Sequence, residues 1–569
     1  MNKNEFDVIV AGSGAGGLSS AIVAADEGLS VLVIEKSDKF GGTTSRSGGW
    51  IWIPNNSHAK REGLEDSFDK ARTYIEAEAG NQFDATRVDA FLNSGPKMLD
   101  WFDRNTDVKF TLGSYFPDYH PYQPGGMDGG RSLNADPVNL ATLGKNADRL
   151  APPIPEATFM GMMVGSNREL KHFFEATRSV KSFGYVGALL ARYGYEKVRY
   201  GKTMRLTNGA ALVARLAKSA FDRGVEIRTS TPLKDLILEN GRVTGVVVDG
   251  PSGQQTLKAR KGVVLATGGF PFDMEMRKKL YSHAPTGSGH YSPANPDNTG
   301  DAMRITADLD AAISDGYKQP AAWVPISLVP RKDGSYGTFP HFVDRGKPGV
   351  IAVMRNGRRF VNEANSYHDY GSGLIAAHDG VGEAESWLII DHPTLRLYGL
   401  GFVKPYPIPL QPALRSGYLK RGKTLRELAA ATGIDPDGLE KTVTDFNRHA
   451  RETGEDPEFG RGTTAYNRYL GDPDHKPNPC VKPIENGPFY AIRVVLGDLG
   501  SFVGHRTDAS ARVLNSHNDP IPGLYAVGND AASLFGGNYS GGGITLGPAM
   551  TFGYIAGRHL AGISEGAAA

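Results

Sequence analysis

The chain of 569 residues is too long for one compact core at about 100–200 residues per domain, so two domains are expected, one of them carrying an insertion. Lys and Arg number 63 against 62 Asp and Glu, and this net charge of +1 gives no electrostatic reason to expect nucleic acid; a small-molecule partner is expected instead. Cys480 is the single cysteine, which excludes an internal disulfide, a cysteine-based zinc site and a redox thiol pair, and no apolar run reaches the ~18–20 residues of a membrane span, so a cytoplasmic chain is expected.

Residues 6–10 are apolar, Gly12-Ser13-Gly14-Ala15-Gly16-Gly17 follows, 18–27 has helical composition, and a second apolar run, 30–34, ends at Glu35. That order is strand, tight turn, helix, strand, the context that makes GxGxxG a dinucleotide-binding fingerprint. The first two glycines permit the turn and the approach of a pyrophosphate, the third lets helix and strand touch, and the helix N-terminus faces the phosphates. Glu35 falls where an acidic side chain binds a ribose hydroxyl. Gly41-Gly42-Thr43-Thr44 and Ser47-Gly48-Gly49 form a second small-residue stretch, running beside the same ligand or serving only as loop.

Residues 60–110 read as helical, and Phe116-Pro117-Asp118-Tyr119-His120-Pro121-Tyr122 as an aromatic loop broken by prolines. The segment 152–200, rich in Met, Phe and Tyr with scattered basic residues, reads as a packed helical insertion. Its alternatives are a cap and a surface-lying amphipathic helix able to touch a membrane. A helix over 210–223 leads to a strand at 225–228, a hairpin turning at Asn240-Gly241, and a buried strand running from 263 into Ala266-Thr267-Gly268-Gly269. From 273 to 488 the texture changes to many aromatics and prolines without a second fingerprint, as in a substrate domain. Near the end, Gly523-Leu-Tyr-Ala-Val-Gly528-Asn529-Asp530 is a strand into a turn. Gly536-Gly-Asn-Tyr539-Ser540-Gly-Gly542-Gly543 and a helix over 548–560 follow.

Together with Arg358-Arg-Phe-Val-Asn-Glu363, these stretches resemble the fumarate reductase/succinate dehydrogenase flavoprotein superfamily over nearly the whole chain. The resemblance implies an α/β fold: a discontinuous Rossmann-type FAD-binding domain with an inserted α+β catalytic domain, the flavin ring facing the latter. The expected bounds are 1–272 for the first part of the FAD domain, 273–488 for the catalytic domain and 489–569 for the closing part. FAD is expected to be held non-covalently by Gly12, Gly14, Ala15, Gly16, Gly17, Glu35, Lys36, Gly42, Thr43, Thr44, Ser47, Gly48, Gly49, Ala266, Thr267, Gly268, Gly528, Asn529, Asp530, Thr545 and Leu546.

Fumarate reductases of that superfamily carry an arginine shortly after the Asn-Glu pair and another in the C-terminal glycine loop; Tyr367 and Tyr539 stand at those spacings here. A phenol in place of a guanidinium removes the bidentate carboxylate clamp and leaves a group that donates or accepts one proton. The tyrosines are similar to those of the 3-ketosteroid Δ1-dehydrogenases, the matches being Tyr119, Tyr367, and Tyr539 with Gly543. Ser366, His368, Ser540, Gly542 and a longer 152–200 segment depart from that pattern, so fold and reaction type carry over better than substrate size. The implied reaction is α,β-dehydrogenation of an apolar cyclic ketone, a 3-ketosteroid or a smaller ring, with an unidentified electron acceptor. Tyr539 and the Gly543 N–H would hold the carbonyl. Tyr367 would be the base, with Tyr119 bonded to it, and its phenol pKa near 10 would have to be lowered or the pH optimum be alkaline. Ser540 is a candidate helper at the carbonyl, His368 a modulator of Tyr367, and His505, with Arg506-Thr507-Asp508, a part of the site wall or a contact of the cofactor edge. No His pair has the spacing of a catalytic zinc site, so no metal is expected. The competing readings are a flavin-dependent reductase of an enone or unsaturated acid, a steroid Δ4-(5α)-dehydrogenase, and a flavin-binding sensor.

Overall fold

The computed structural model describes residues 4–563 apart from Asn167 and Ser252; the domain bounds expected at 1 and 569 lie outside these residues. The fingerprint region folds as read. Val31–Ile34 is buried at every position, as suits a parallel strand covered on both faces. It lies parallel to Glu5–Ala11, which in turn lies parallel to the far end of Gly253–Leu265. Glu226–Arg228 extends this sheet on one side and Pro520–Ala526 on the other, both parallel to their neighbours. The hairpin Leu233–Glu239 and Arg242–Gly250 joins it through an Asn240-Gly241 turn, both residues at positive φ, the geometry that Asn-Gly favours.

The first and last parts of the chain meet in one helix pair. Helix Leu546–Leu560 lies on helix Ala15–Asp26 at glycines: a Cβ on Gly553 would stand 2.6 Å from the Gly16 carbonyl oxygen. Without Cβ atoms the backbones touch, and the closing segment completes the layer over the first sheet.

The second sheet is antiparallel, in the order Tyr336–Pro340, Ala321–Pro330, Phe489–Ser501, Glu385–Asp391, Val350–Val353, with Lys420–Gly422 also beside Phe489–Ser501. Strand Phe489–Ser501 corrects one expected boundary. Residues from 489 onward were assigned to the closing part of the FAD domain, yet this strand is hydrogen-bonded along its length in the second sheet. Its near-continuous apolar run says that it is buried without saying in which sheet.

The segment 152–200 is helical over Arg168–Glu175 and Val180–Tyr200. The longer helix turns Val180, Phe183, Tyr195 and Val198 outward, each more than half exposed. Among the described residues no helix is long and apolar enough to cross a membrane.

Candidate active site

One cavity of about 1060 Å³ runs from the fingerprint to the junction of the two sheets. That is the upper end of the ~300–1,000 Å³ typical of sites for one small ligand, and leaves room for a cofactor and a substrate. Of the residues expected to hold the cofactor, Gly12, Gly14, Ala15, Gly16, Glu35, Lys36, Gly42, Thr43, Thr44, Ser47, Gly48, Gly49, Ala266, Thr267, Gly268, Gly528, Asn529, Thr545 and Leu546 line it. Gly17 and Asp530 do not. A Cβ on Gly17 would stand 2.1 Å from the Gly12 carbonyl oxygen, so this glycine serves strand–helix packing. The Asp530 carboxylate accepts from Gly269 N–H and Thr267 Oγ1, both at 3.0 Å, and so fixes the Thr267-Gly268-Gly269 turn from behind.

The cradle suits a dinucleotide. Gly12 has φ 110° and a Cβ there would stand 2.0 Å from the Ala266 oxygen, so only glycine makes this turn. The first N–H groups of helix Ala15–Asp26 have no helical carbonyl before them; Ala15 donates to Thr44 Oγ1 at 3.0 Å, which ties the second glycine stretch to the first. Glu35 is buried, accepts from Ser13 N–H at 3.1 Å and Ser37 N–H at 2.9 Å, and has its carboxyl pKa raised by burial against these bonds. Lys36 lines the cavity, but its ammonium is committed to Thr299 Oγ1 at 2.6 Å and Asp301 at 3.0 Å.

At the other end three tyrosines from three distant segments meet. The Tyr119 hydroxyl donates to the Tyr367 hydroxyl at 3.4 Å, and the Tyr367 ring lies 5.0 Å from Tyr539 and 5.5 Å from Tyr119. All three are at most 6% exposed and face the cavity. The Tyr119 loop is pinned through Asp118, which accepts from Trp52 Nε1 at 2.8 Å and Arg131 Nη1 at 2.9 Å. Tyr119 N–H then donates to the Ser540 oxygen at 2.8 Å, so the loops of Tyr119 and Tyr539 are joined directly. Gly543 has φ 103° and crosses the backbone of strand Trp50–Trp52, where a Cβ would stand 2.5 Å from the Ile51 carbonyl carbon. Its N–H has no acceptor among the described residues.

Tyr367 is the first residue of helix Tyr367–Ala377. Ser366, a departure from the family pattern, is the N-cap, accepting from Asp369 N–H at 3.0 Å. Ser366→Ala is expected to lower stability by about 1 kcal/mol, read as a fall in the Tm of the flavin-loaded protein. The preceding Arg-Asn-Glu motif is a buried framework instead of a substrate contact. Arg359 bridges Glu363 and Asp456 at 2.8 Å, Arg461 binds Glu363 at 2.9 Å, and these cations hold the Glu363 carboxyl down to about 2 against its burial.

Burial pushes the Tyr119 and Tyr367 phenols well above their ordinary value and raises Tyr539 as well; contacts with Tyr367 and Thr545 partly offset the shift of Tyr539. The lowering that a Tyr367 base was expected to need is therefore not present: burial and the neighbouring Tyr119 and Tyr539 phenols all act to raise it. The nearest imidazoles are engaged elsewhere. His368 Nδ1 accepts from Trp323 N–H at 3.1 Å and its Nε2 faces the Gly537 oxygen at 3.0 Å. Burial lowers its pKa to about 4, and both ring nitrogens are bonded to backbone groups away from Tyr367. His505 lies behind the wall, bonded to Thr306 at 2.7 Å and to the Asp530 oxygen at 2.8 Å, and does not line the cavity. The buried Ser540 hydroxyl does not line it either.

Several lining residues carried no sequence signal. Tyr466 lies 4.4 Å from the Tyr119 ring and Phe342 lies 5.1 Å from that of Tyr367. Phe116 and Trp50 also line the cavity, and Phe116 belongs to the aromatic loop that the sequence did single out. Helix Arg168–Glu175 of the insertion contributes Leu170, Phe173 and Phe174 to the lining.

A glycine cradle for a dinucleotide, opening on a polar aromatic chamber between two sheets, defines a flavoprotein oxidoreductase. Residues 7–546 match the FAD binding domain family. The chain is 41% identical over 560 residues to 4-oxocyclohex-2-ene-1-carboxylate 5-dehydrogenase of Sinomonas cyclohexanicum, covering 98% of this chain and 94% of that one. It is 38% identical to 3-oxosteroid 1-dehydrogenase of Mycobacterium tuberculosis over 99% of both chains. The crystal structure of 3-ketosteroid delta1-dehydrogenase from Sterolibacterium denitrificans, in complex with 1,4-androstadiene-3,17-dione, superposes with a TM-score of 0.90 at 37% identity, covering 98% of this chain and 100% of that one. The chain belongs to the FAD binding domain family, in the branch that holds the 3-ketosteroid Δ1-dehydrogenases, and is an FAD-dependent oxidoreductase.

Proposed function

We propose that the protein desaturates a cyclic ketone between the carbons α and β to the carbonyl. The observation that carries this reading is the meeting of Tyr119, Tyr367 and Tyr539 in the cavity that also contains the glycine cradle. Bound FAD supplies the two-electron acceptor for the β hydrogen. The residues of the chain supply the rest: they hold the carbonyl and take the α proton.

An α C–H is a weak acid, and its removal builds negative charge on the carbonyl oxygen. The Tyr539 hydroxyl and the Gly543 N–H donate to that oxygen, in a chamber where fixed donors gain strength as charge develops. Gly543 can do this because its N–H has no acceptor among the described residues and because no side chain stands between its backbone and the cavity. Tyr367 takes the proton. It sits at the first position of a helix, where the helix dipole favours a phenolate by about 0.3–1 kcal/mol. Burial opposes ionisation more strongly, and the neighbouring Tyr119 and Tyr539 phenols add to that opposition, so the reaction is expected to quicken toward alkaline pH.

Glu35 and the N-terminus of helix Ala15–Asp26 are the proposed partners of the ribose and pyrophosphate. The single, buried Cys480 accords with a cytoplasmic setting. The test is steady-state turnover of cyclohexanone-type and 3-ketosteroid substrates with an artificial electron acceptor, with the conjugated enone identified as product. Acceptor reduction without enone formation would refute the assignment.

A further inference from the structure

The cavity wall farther along from the tyrosines carries positive charge that the dehydrogenation itself does not use. The loop that brings Phe342 to the ring of Tyr367 continues through the short 3₁₀ turn Asp344–Gly346 to Lys347. Lys347 is 8% exposed and lines the cavity. Its ammonium donates to the Gly471 carbonyl oxygen at 2.7 Å and lies 5.0 Å from the centre of the Phe174 ring. A second lining ammonium, Lys404, stands over Phe339 and Phe402. No carboxylate of the described residues lies within 4.0 Å of either one.

Asp472 and Asp344, whose charges reach Lys347 over a longer distance, make their direct contacts elsewhere. Asp472 accepts from the Tyr398 hydroxyl at 2.6 Å and pairs with Arg178 at 3.4 Å. Asp344 meets His341 Nδ1 at 2.7 Å and accepts from Gly401 N–H at 2.8 Å. A buried ammonium without a directly bonded counter-ion is costly, and the more distant charges of Asp472 and Asp344 offset only part of that cost at Lys347. Burial accordingly holds Lys347 down to about 8. An anion delivered into the cavity would offset that cost, and one bearing a planar carboxylate would find at Lys347 an ammonium that spends a single hydrogen bond on protein.

Resting on the dehydrogenase reading above, we propose that this wall selects a cyclic keto acid: the substrate carries a carboxylate on its ring system away from the ketone, and Lys347 is its ion-pair partner. Phe174, whose ring lies 5.0 Å from the ammonium, brings the 152–200 segment to the same substituent.

The test compares 4-oxocyclohexanecarboxylate with its methyl ester, which share ring and ketone and differ in charge, alongside a neutral 3-ketosteroid. The wild-type protein is expected to favour the acid over the ester by at least about 30-fold in kcat/KM, mainly through KM, the size expected for a desolvated charge pair. Lys347→Met is expected to bring the acid-to-ester ratio close to one, and Lys347→Arg to keep part of it, both scored on flavin-loaded protein. The wild-type ratio does not depend on whether either variant folds. Turnover of the ester and the steroid at least as fast as the acid would overturn the anionic site and leave the dehydrogenase reading intact. No flavin reduction by any of the three would overturn both.

Discussion

Tyr367→Phe is expected to lower kcat/KM by about 10²–10⁴-fold, the range for loss of a general base. Phenylalanine keeps the ring that packs against Phe342, Tyr119 and Tyr539, so the loss isolates the hydroxyl. The pH profile carries the assignment further. Because burial raises the Tyr367 phenol well above its ordinary value, only a small phenolate fraction exists near neutrality, and that fraction grows about tenfold per pH unit below the pKa. Log kcat/KM of the wild-type protein is expected to climb with a slope of about one through the neutral and mildly alkaline range. The variant is expected to lose that slope. A Tyr367→Phe protein with wild-type rate and slope would remove Tyr367 as the base.

Tyr539→Phe is expected to reduce kcat by about 10²–10³-fold, as for removal of one donor to a developing oxyanion. The effect falls on kcat more than on KM, since the hydrogen bond strengthens as enolate charge appears. Gly543 N–H remains in place, which limits the loss. The pH slope is expected to survive in this variant, because Tyr367 is untouched. The two tyrosines are thereby separable: one substitution abolishes the slope and the other lowers the rate and keeps it. A variant in which both disappear together would mean that Tyr539 is the residue that ionises.

The cofactor end was the most legible part of the sequence, because backbone geometry there admits so few residues. Gly12 at φ 110° and the Gly16–Gly553 contact leave no space for a Cβ, and such positions print themselves as glycine. Tyr119, Tyr367 and Tyr539 were found through family resemblance, and nothing local in the sequence marks them apart from the other 20 of 23 tyrosines. What brings them together is tertiary: the Tyr119–Ser540 backbone bond, the Ser366 cap, and a helix start fixed by the Glu363 network. The same limit explains the misplaced strand Phe489–Ser501, since burial shows in composition and strand partners do not. His368, His505 and Ser540 were drawn into the site by nearness in sequence, whereas their side chains point into packed protein. Lys347 gave no signal because a lone lysine between loops looks like any surface charge; only burial beside a cavity sets it apart.

The most direct measurement is anaerobic mixing of the oxidised, FAD-loaded protein with a saturated cyclic ketone while the flavin absorbance near 450 nm is followed, at about stoichiometric and excess ketone. Without any external acceptor, α,β-dehydrogenation delivers two electrons to the flavin, so loss of the oxidised band with one enone formed per flavin is the expected result, fast in the wild type and slow in Tyr367→Phe. Retention of the oxidised band with every cyclic ketone tried, acid, ester and steroid alike, would contradict the assignment of this site to ketone dehydrogenation.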